Sequence, residues 1–281
     1  ETIKLLQTSR PIITIGMPVF NGAKFISEAI DSLLAQTETR FELIISDNCS
    51  TDSTYTICEE YAAIDSRIKL LRQKENKGAL ENFTVVLQNA DSDYFLWAAC
   101  DDIWSSDWLE KLLTLQGKDT SITFGSVINI RENGIFFKSY KSKNLYKSSL
   151  LSKLSFFLEE DTLGKANIIY GMYPTKLIRE VGLKTLGSVK YGDDMLFVFQ
   201  FLQYGNIMFD PAAKLYKRVP YYPMHKVSLK KIFRRVFLIE RLSTFISYGL
   251  IANTNIAKFL CYLLMPLKYT MSFIYNFSIL A

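Results

Sequence analysis

Between residues 11 and 99 short apolar runs alternate with segments whose apolar residues recur at helical spacing, and few folds accept that pattern. Pro11 to Met17 reads as a buried strand, and Asn21-Gly22 is a turn signal. Phe25, Ile26, Ala29, Ile30, Leu33 and Leu34 then repeat with the period of a helix. Phe41 to Ser46 is a second strand, and a helix through Thr56, Ile57 and Tyr61 follows a polar loop at Asn48 to Asp52. Ile68 to Leu71 is a third strand, Lys77-Gly78 opens a helix through Leu80, Phe83, Val86 and Leu87, and Tyr94 to Ala99 is a fourth strand. Strands alternating with helices imply right-handed βαβ units and a parallel sheet. In such a sheet the strand ends share one edge, where open α/β folds bind ligands. Two strands end there in carboxylates: Asp47 after the second, Asp101 and Asp102 after the fourth.

Adjacent carboxylates repel unless a cation or a ligand hydroxyl satisfies them. Hard oxygen ligands at a strand end suit Mg²⁺ or Mn²⁺ carrying a phosphorylated substrate. The plainer reading is that Asp101 and Asp102 cap a helix that starts near Ser106 or Asp107 and carries Trp108, Leu109, Leu112 and Leu113. A second pair, Asp193-Asp194, precedes an apolar helix. Its plain reading is an acidic first turn favoured by the helix dipole, and from that segment alone the two readings stand level. No GxGxxG follows the first strand and no GxxxxGK[ST] occurs, which weighs against a dinucleotide-dependent dehydrogenase and a P-loop nucleotidase. Cys49, Cys58, Cys100 and Cys261 show no paired spacing. That argues against a zinc site or disulfide framework and for a reducing compartment.

Several motifs in fixed order carry a family resemblance: Pro18-Val-Phe-Asn21, Ala35-Gln36-Thr37, Asp47-Asn-Cys-Ser-Thr-Asp52, Asn76-Lys-Gly78 with Asn82, and Cys100-Asp101-Asp102. Over residues 12–115, and more weakly to about 228, the chain resembles a family 2 inverting glycosyltransferase of the bacterial glycan-assembly type. The resemblance implies a GT-A fold: an α/β, Rossmann-like, mainly parallel sheet flanked by helices. It implies transfer of a hexosyl or N-acetylhexosaminyl group from a nucleoside-diphosphate sugar, UDP by default, to a glycan hydroxyl. Asp47 would accept the imide N–H of uracil, with Pro18 and Phe20 lining the base pocket, while Asp52 is better placed to cap the next helix. Asn21, Asn76, Gly78 and Asn82 would shape the donor pocket, loop and cap chemistry being an equal reading for the last three. Asp101 would face the ribose or diphosphate. Asp102 would ligate a divalent cation, Mn²⁺ or Mg²⁺, with the only histidine, His225, near the diphosphate as a further ligand. Asp194 would be the catalytic base, and Asp193 would orient it or the acceptor. Relatives often carry a third acid where Cys100 stands and an arginine where Pro174 stands. Those departures support the competing reading, a non-catalytic nucleotide-sugar-binding or scaffold subunit. Arg218 and Lys226 are candidate diphosphate partners, or members of a solvated surface.

Past Leu115, Ile122 to Tyr140 alternates as strands around an Asn133-Gly134 turn. Lys138 to Ser149 reads as a surface loop, Leu150 to Leu158 as a helix, and Asn167 to Tyr173 as a strand whose Gly171 allows a close approach. From Lys214 to Arg241 Glu240 is the sole acid. Leu229, Ile232, Phe233, Val236 and Phe237 fall on one helical face opposite Lys230, Lys231, Arg234 and Arg235. A basic amphipathic helix of this kind often lies on an anionic membrane surface, the alternative being a helix packed on the domain with its basic face solvated; the apolar stretch that follows favours the membrane. Phe259 to Ala281 is nearly all apolar but broken by Pro266 and Lys268, which favours two short interfacial helices over a span. The expected organisation is a transferase domain over 1–225 and a helical, membrane-associating tail over 226–281. The protein would sit in the cytoplasm against the inner face of the cell membrane and take a lipid-linked glycan acceptor. No nucleic-acid role is expected, since no stacking module accompanies the bases.

Overall fold

The computed structural model describes residues 10–140, 145–159, 164–189, 191–219 and 241–278. Its first half is built as the alternation requires: β1 (Ile13–Val19), α1 (Ile26–Leu34), β2 (Phe41–Asp47), α2 (Thr54–Ile64), β3 (Ile68–Arg72), α3 (Ala79–Gln88) and β4 (Tyr94–Trp97). The strands lie in the order β3-β2-β1-β4, all parallel, and β9 (Tyr173–Pro174) closes the edge antiparallel to β4. β1 is buried on both faces, as the central strand of a parallel sheet must be. The pairing Val19↔Asp47 and Gly16↔Trp97 brings the C-terminal ends of β1, β2 and β4 to one edge.

A second sheet follows, in the order β5 (Ile103–Trp104), β10 (Asn206–Arg218), β6 (Thr120–Ile130), β7 (Phe136–Tyr140), with β8 (Leu145–Tyr146) pairing the start of β10. α4 (Trp108–Thr114) leads into it. Gln36 couples the two halves. Its amide donates to the carbonyls of Ser32 and Ser105 at 3.0 and 2.8 Å, and its oxygen accepts the Leu109 N–H at 3.0 Å. The Ala-Gln-Thr sequence therefore holds α1 against the start of α4, satisfying an orphan helix donor on the way. Under the strand edge, fully buried Trp97 meets the rings of Phe83, Phe95, Tyr173 and Phe197 at centroid distances of 5.0 to 6.0 Å.

Two expectations are corrected. The stretch Asn167 to Tyr173 is not one strand: Lys165–Tyr170 is a 3-10 helix and only Tyr173–Pro174 pairs in a sheet. Gly171, between them, does make the close approach. A Cβ there would lie 2.5 Å from Ile122 Cγ2 and 2.7 Å from the Thr123 carbonyl. The apolar C-terminal stretch is one 24-residue helix, Asn255–Ser278, that runs through Pro266 rather than two short ones. Pro266 sits on the exposed side, so the carbonyl deprived of its partner is not sealed in a core. Lys268 beyond it is fully buried and donates to the Glu159 carbonyl at 2.6 Å, which holds the second half of the helix down. The basic stretch 220–240 lies outside the described residues.

After β9 come α6 (Thr175–Val181), α7 (Asp193–Phe201) and, past β10, α8 (Leu242–Ile251) and α9 (Asn255–Ser278); α5 (Leu150–Leu158) precedes them. The last two helices pack on α5 and α7. Tyr248 of α8 is fully buried, with its ring 5.2 Å from Phe157 and 4.9 Å from Phe199. Truncating that ring leaves a cavity between α5, α7 and α8. Tyr248→Ala is expected to cost about 3–5 kcal/mol of unfolding free energy in a denaturant titration followed through the tryptophans, with one cooperative transition retained.

Candidate active site

The loops after β1, β2 and β3 enclose a cavity of about 250 Å³ lined by Pro18, Val19, Phe20, Asn48, Asn76, Gly78, Ala79, Asn82 and Phe83. It is a slot between Pro18, Phe20 and Phe83 with amides at its margin. Asn48 builds much of that margin. Its amide donates to Asn76 Oδ1 at 2.9 Å and to the Gly78 carbonyl at 3.1 Å, and its oxygen accepts the Lys77 N–H. Asn82, buried at the start of α3, donates to the carbonyls of Val19 and Ser46 and so clips β1 to β2, and its Oδ1 has no hydrogen-bond partner. Gly78 has φ +86°, a conformation that suits glycine, and nothing stands where its side chain would be.

Asp47 is fully buried at the end of β2, accepting the Ser50 N–H at 3.3 Å, with Arg72 Nε 3.9 Å away. Asp52 accepts the Thr54 N–H at the start of α2 and the Ala23 N–H at 3.2 Å. Asn21, with φ +53°, is engaged by loop contacts: its N–H donates to Ser50 Oγ and its side-chain oxygen accepts the Thr51 N–H at 2.8 Å. It stands at the junction of two site loops and braces them against each other.

Beside this cavity lie the acids of the β4 end. Asp102 is buried. One carboxylate oxygen accepts the Arg218 backbone N–H at 2.9 Å and the other, also buried, has no partner. Burial, and then the charge of Asp101, push its carboxyl up to about 7. Burial raises Asp101 as well. Cys100, where a third acid was expected, is a thiol pushed up to about 12 by burial and by Asp101, and it stays uncharged at neutral pH. Arg218 lies inside the structure. Its guanidinium donates to the Asp101 carbonyl at 2.9 Å, pairs with Glu28 and rests 4.4 Å from the centre of the Phe25 ring. In that place it fastens the end of β10 to the acidic loop.

Sequence reasoning passed over the preceding residue, Lys217. Its ammonium donates to Asn167 Oδ1 at 3.0 Å, lies 4.8 Å from the Tyr170 ring centre, and pulls down the carboxyls of both Asp101 and Asp102. The available signal was strand alternation, which puts Lys217 and Arg218 on opposite faces of β10. The Tyr170 hydroxyl is raised by burial and then by the charges of Asp102, Asp101 and Asp194. That tyrosine therefore feels Asp101, Asp102 and Asp194 together, and the fold brings Asp194 towards the pair at β4 across more than ninety residues of sequence. Asp193 and Asp194 occupy the first turn of α7. Asp193 accepts the Gly187 N–H at 2.7 Å and the Asp194 N–H at 3.1 Å, and Asp194 accepts the Met195 N–H at 2.7 Å. Gly192 makes the turn possible, because its φ of +75° is a conformation that L side chains rarely adopt. His225 and Lys226 lie outside the described residues.

Among the described residues no three His, Cys, Asp or Glu side chains converge as a ready-made cage. Asp102 still fits a divalent cation, because it offers a buried, unpartnered oxygen beside a second carboxylate. Mg²⁺ and Mn²⁺ that ride on a diphosphate take only one or two protein carboxylates and complete their shell from phosphate and water.

A parallel sheet with a slot at one strand end and paired carboxylates at the next places its candidate site where open α/β sheets bind ligands. The chain belongs to glycosyl transferase family 2, whose model matches residues 14–185. It is 32% identical over 141 residues to the UDP-Glc:alpha-D-GlcNAc-diphosphoundecaprenol beta-1,3-glucosyltransferase WfgD of Escherichia coli, an alignment covering 50% of this chain and 55% of that one. Among solved structures it is similar to S. aureus TarS 1-349 in complex with UDP-GlcNAc, with a TM-score of 0.60, 19% identity, and coverage of 86% of this chain and 68% of that one. The mannosyltransferase PcManGT of Pyrobaculum calidifontis, in complex with GDP-Man and Mn²⁺, gives a TM-score of 0.56 at 15% identity, covering 94% and 73%. These structural likenesses show the GT-A fold. The chain spans about half the length of the curated relatives it matches.

The raised Asp102 carboxyl has a consequence for stability. From about pH 4 to about 7 the unfolded chain releases a proton that the folded chain keeps, so this group makes stability fall as pH rises across that window and level off above it. In the metal-free protein, Asp102→Asn is expected to raise the melting temperature at pH 8 by on the order of 5 °C and to change it little at pH 4. Differential scanning calorimetry of both proteins at the two pH values checks this.

Proposed function

We propose that the chain transfers a hexose or N-acetylhexosamine from a UDP-sugar to a hydroxyl of a lipid-linked glycan, with inversion at the anomeric carbon. The observation that carries this reading is the buried carboxylate of Asp102, with one oxygen unpartnered and with Asp101 and Lys217 acting on it, beside a slot bounded by Pro18, Phe20 and Phe83. Pro18 and Phe20 bound the slot for the base, and Asp47 at the strand end accepts the imide N–H of uracil. Asn76 and Gly78, tied together through Asn48, and Asn82, which clips β1 to β2, hold the donor loops in place, and Asn21 braces the loops after β1 and β2.

Asp101 and Asp102 would hold the divalent cation, Mn²⁺ or Mg²⁺, with His225 as a further ligand. When bound, the cation neutralises charge on the departing diphosphate. Lys217 sits beside the same carboxylates and offers its ammonium to that diphosphate as negative charge builds. Asp194 takes the proton of the acceptor hydroxyl as it attacks, and Asp193, fastened to the Gly187 and Asp194 N–H groups, keeps that turn of α7 in position. The lipid-linked acceptor is supported by the WfgD relative, whose acceptor is a diphosphoundecaprenol glycan. The protein would then work at the cytoplasmic face of the membrane. No described helix is long and apolar enough to cross it.

The competing reading is a nucleotide-sugar-binding subunit without catalysis, and the two part at Asp194. Calorimetry with UDP and Mn²⁺ should show binding that is lost in Asp47→Ala, is weakened in Asp102→Ala and strengthens as pH rises towards 7, because cation binding must displace the Asp102 proton. Asp194→Asn should bind UDP as the parent does yet transfer sugar about 10²–10⁴-fold more slowly to an undecaprenyl-diphosphate-linked acceptor. Undiminished transfer by Asp194→Asn would remove the base assignment, and UDP binding without transfer by the parent protein to any lipid-linked glycan would favour the binding subunit.

A further inference from the structure

The last helix is polarised against the usual rule. On α9 the side chains turned to the outside are Ile256, Phe259, Leu263, Leu267, Met271 and Ile274, with exposures from 40 to 64%. Their spacing of three and four residues makes a single stripe from Ile256 to Ile274, about 27 Å long at the helical rise. Tyr262 and Pro266 widen it on one side, and no charged residue falls on it. The two lysines of the helix are elsewhere: Lys258 is half-buried, and Lys268 is fully buried, reaching the Glu159 carbonyl. α8 adds Leu242, Ile246 and Leu250, four residues apart and 39 to 69% exposed. The two helices are locked at close range, because Gly249 leaves room for the Tyr262 ring. No described residue covers this face.

What covers it is indicated by charge. Residues 220–240, which precede α8 in the sequence, hold five Lys or Arg and one Glu. A cationic run followed by an uncharged apolar face is the complement of an anionic lipid surface, where headgroups meet the bases and acyl chains meet the stripe. On such a surface α9 would lie flat rather than span, since no described helix is long and apolar enough to cross. We propose that the outer face of α8 and α9, centred on Phe259, Leu263 and Leu267, is a docking surface for an anionic lipid bilayer. It rests on the reading of the acceptor as lipid-linked only in what the docking is for. Held flat, α9 carries α7 and the acidic pair at its start at a set distance from the bilayer, through the contacts of α8 and α9 with α7 and α5.

Co-sedimentation of the full chain with phosphatidylcholine vesicles, with and without phosphatidylglycerol, tests this. The parent protein should sediment with the phosphatidylglycerol vesicles, and Phe259→Glu/Leu263→Glu/Leu267→Glu should lower its partition by roughly tenfold or more. Ile64→Glu, an equally exposed apolar site on α2, should leave it unchanged. UDP binding and the melting temperature establish that each variant is folded, and Leu263→Ser/Leu267→Ser replaces the triple variant if that one is not. Equal partition of parent and variant, or no sedimentation of the parent with either vesicle, overturns the proposal. So does light scattering that shows a parent oligomer which the variant dissociates, for then a second copy covers the face. Vesicle binding needs no turnover: a protein that docks but transfers nothing to lipid-linked glycans loses the acceptor reading and keeps the surface.

Discussion

Everything at the site hangs on the parallel registration of β1 between β2 and β4. Because Val19 pairs with Asp47 and Gly16 with Trp97, the chain leaves three neighbouring strands at nearly the same level. The loops that follow must then share the space above the sheet edge. Their unpaired backbone groups are satisfied by one another's side chains, as with Asn82 to the Val19 and Ser46 carbonyls, Asn48 to the Gly78 carbonyl, and Ser50 Oγ to the Asn21 N–H. The polar residues of the slot are thus also its scaffold. A slip of one residue in β2 would turn Asp47 to the other face of the sheet.

The second sheet supplies what the first cannot. A carboxylate as buried as Asp102 costs too much to keep charged without partners. β10 provides them from its last two residues, the Arg218 N–H directly and the Lys217 ammonium through space. β10 reaches that point after a register shift against β6 between Asp210 and Lys214. Arg218 then ties the strand end to Asp101 and to Glu28 of α1. The raised Asp102 carboxyl is the residue of this incomplete compensation, and a cation would remove it. The same economy of placement appears at α9, where Lys268 is turned inward to a carbonyl and the outer face is left apolar.

The first half of the fold was legible because its signals are local. Apolar runs of strand length and helices of period 3.6 reproduce β1 to α3 within a residue or two of their observed ends. The same holds for the hairpin of β6 and β7 and for α5. The misreadings fall where a long-range contact overrides local preference. Lys165–Tyr170 is apolar enough for a strand, but Lys165 is drawn in to the carbonyls of Phe156 and Glu159, and Gly171 must pass close to β6, which leaves room for a tight helix only. Pro266 reads as a breaker, yet the helix continues because the proline faces outward and Lys268 anchors the next turn. Arg218 and Lys217 look alike in sequence, and only their opposite faces on β10 separate a structural tie from a residue that meets the acids.

Taken alone, the sequence determined the βαβ alternation, the carboxylates at the ends of β2 and β4 and the turn residues between them. Those follow from period, length and residue chemistry within short windows. The motif order was also enough for the family resemblance that the match over residues 14–185 bears out. Only the tertiary structure decided that Asp194 shares the field of Tyr170 with Asp101 and Asp102, that Lys217 joins them, and that the outer face of α9 is apolar while its lysine at 268 is buried. Those facts depend on which residues meet across a hundred positions of chain, and no local propensity encodes such a meeting. It is set by the packing of Trp97 against β9 and α7 and by the strand order that places β10 beside β5 and β6.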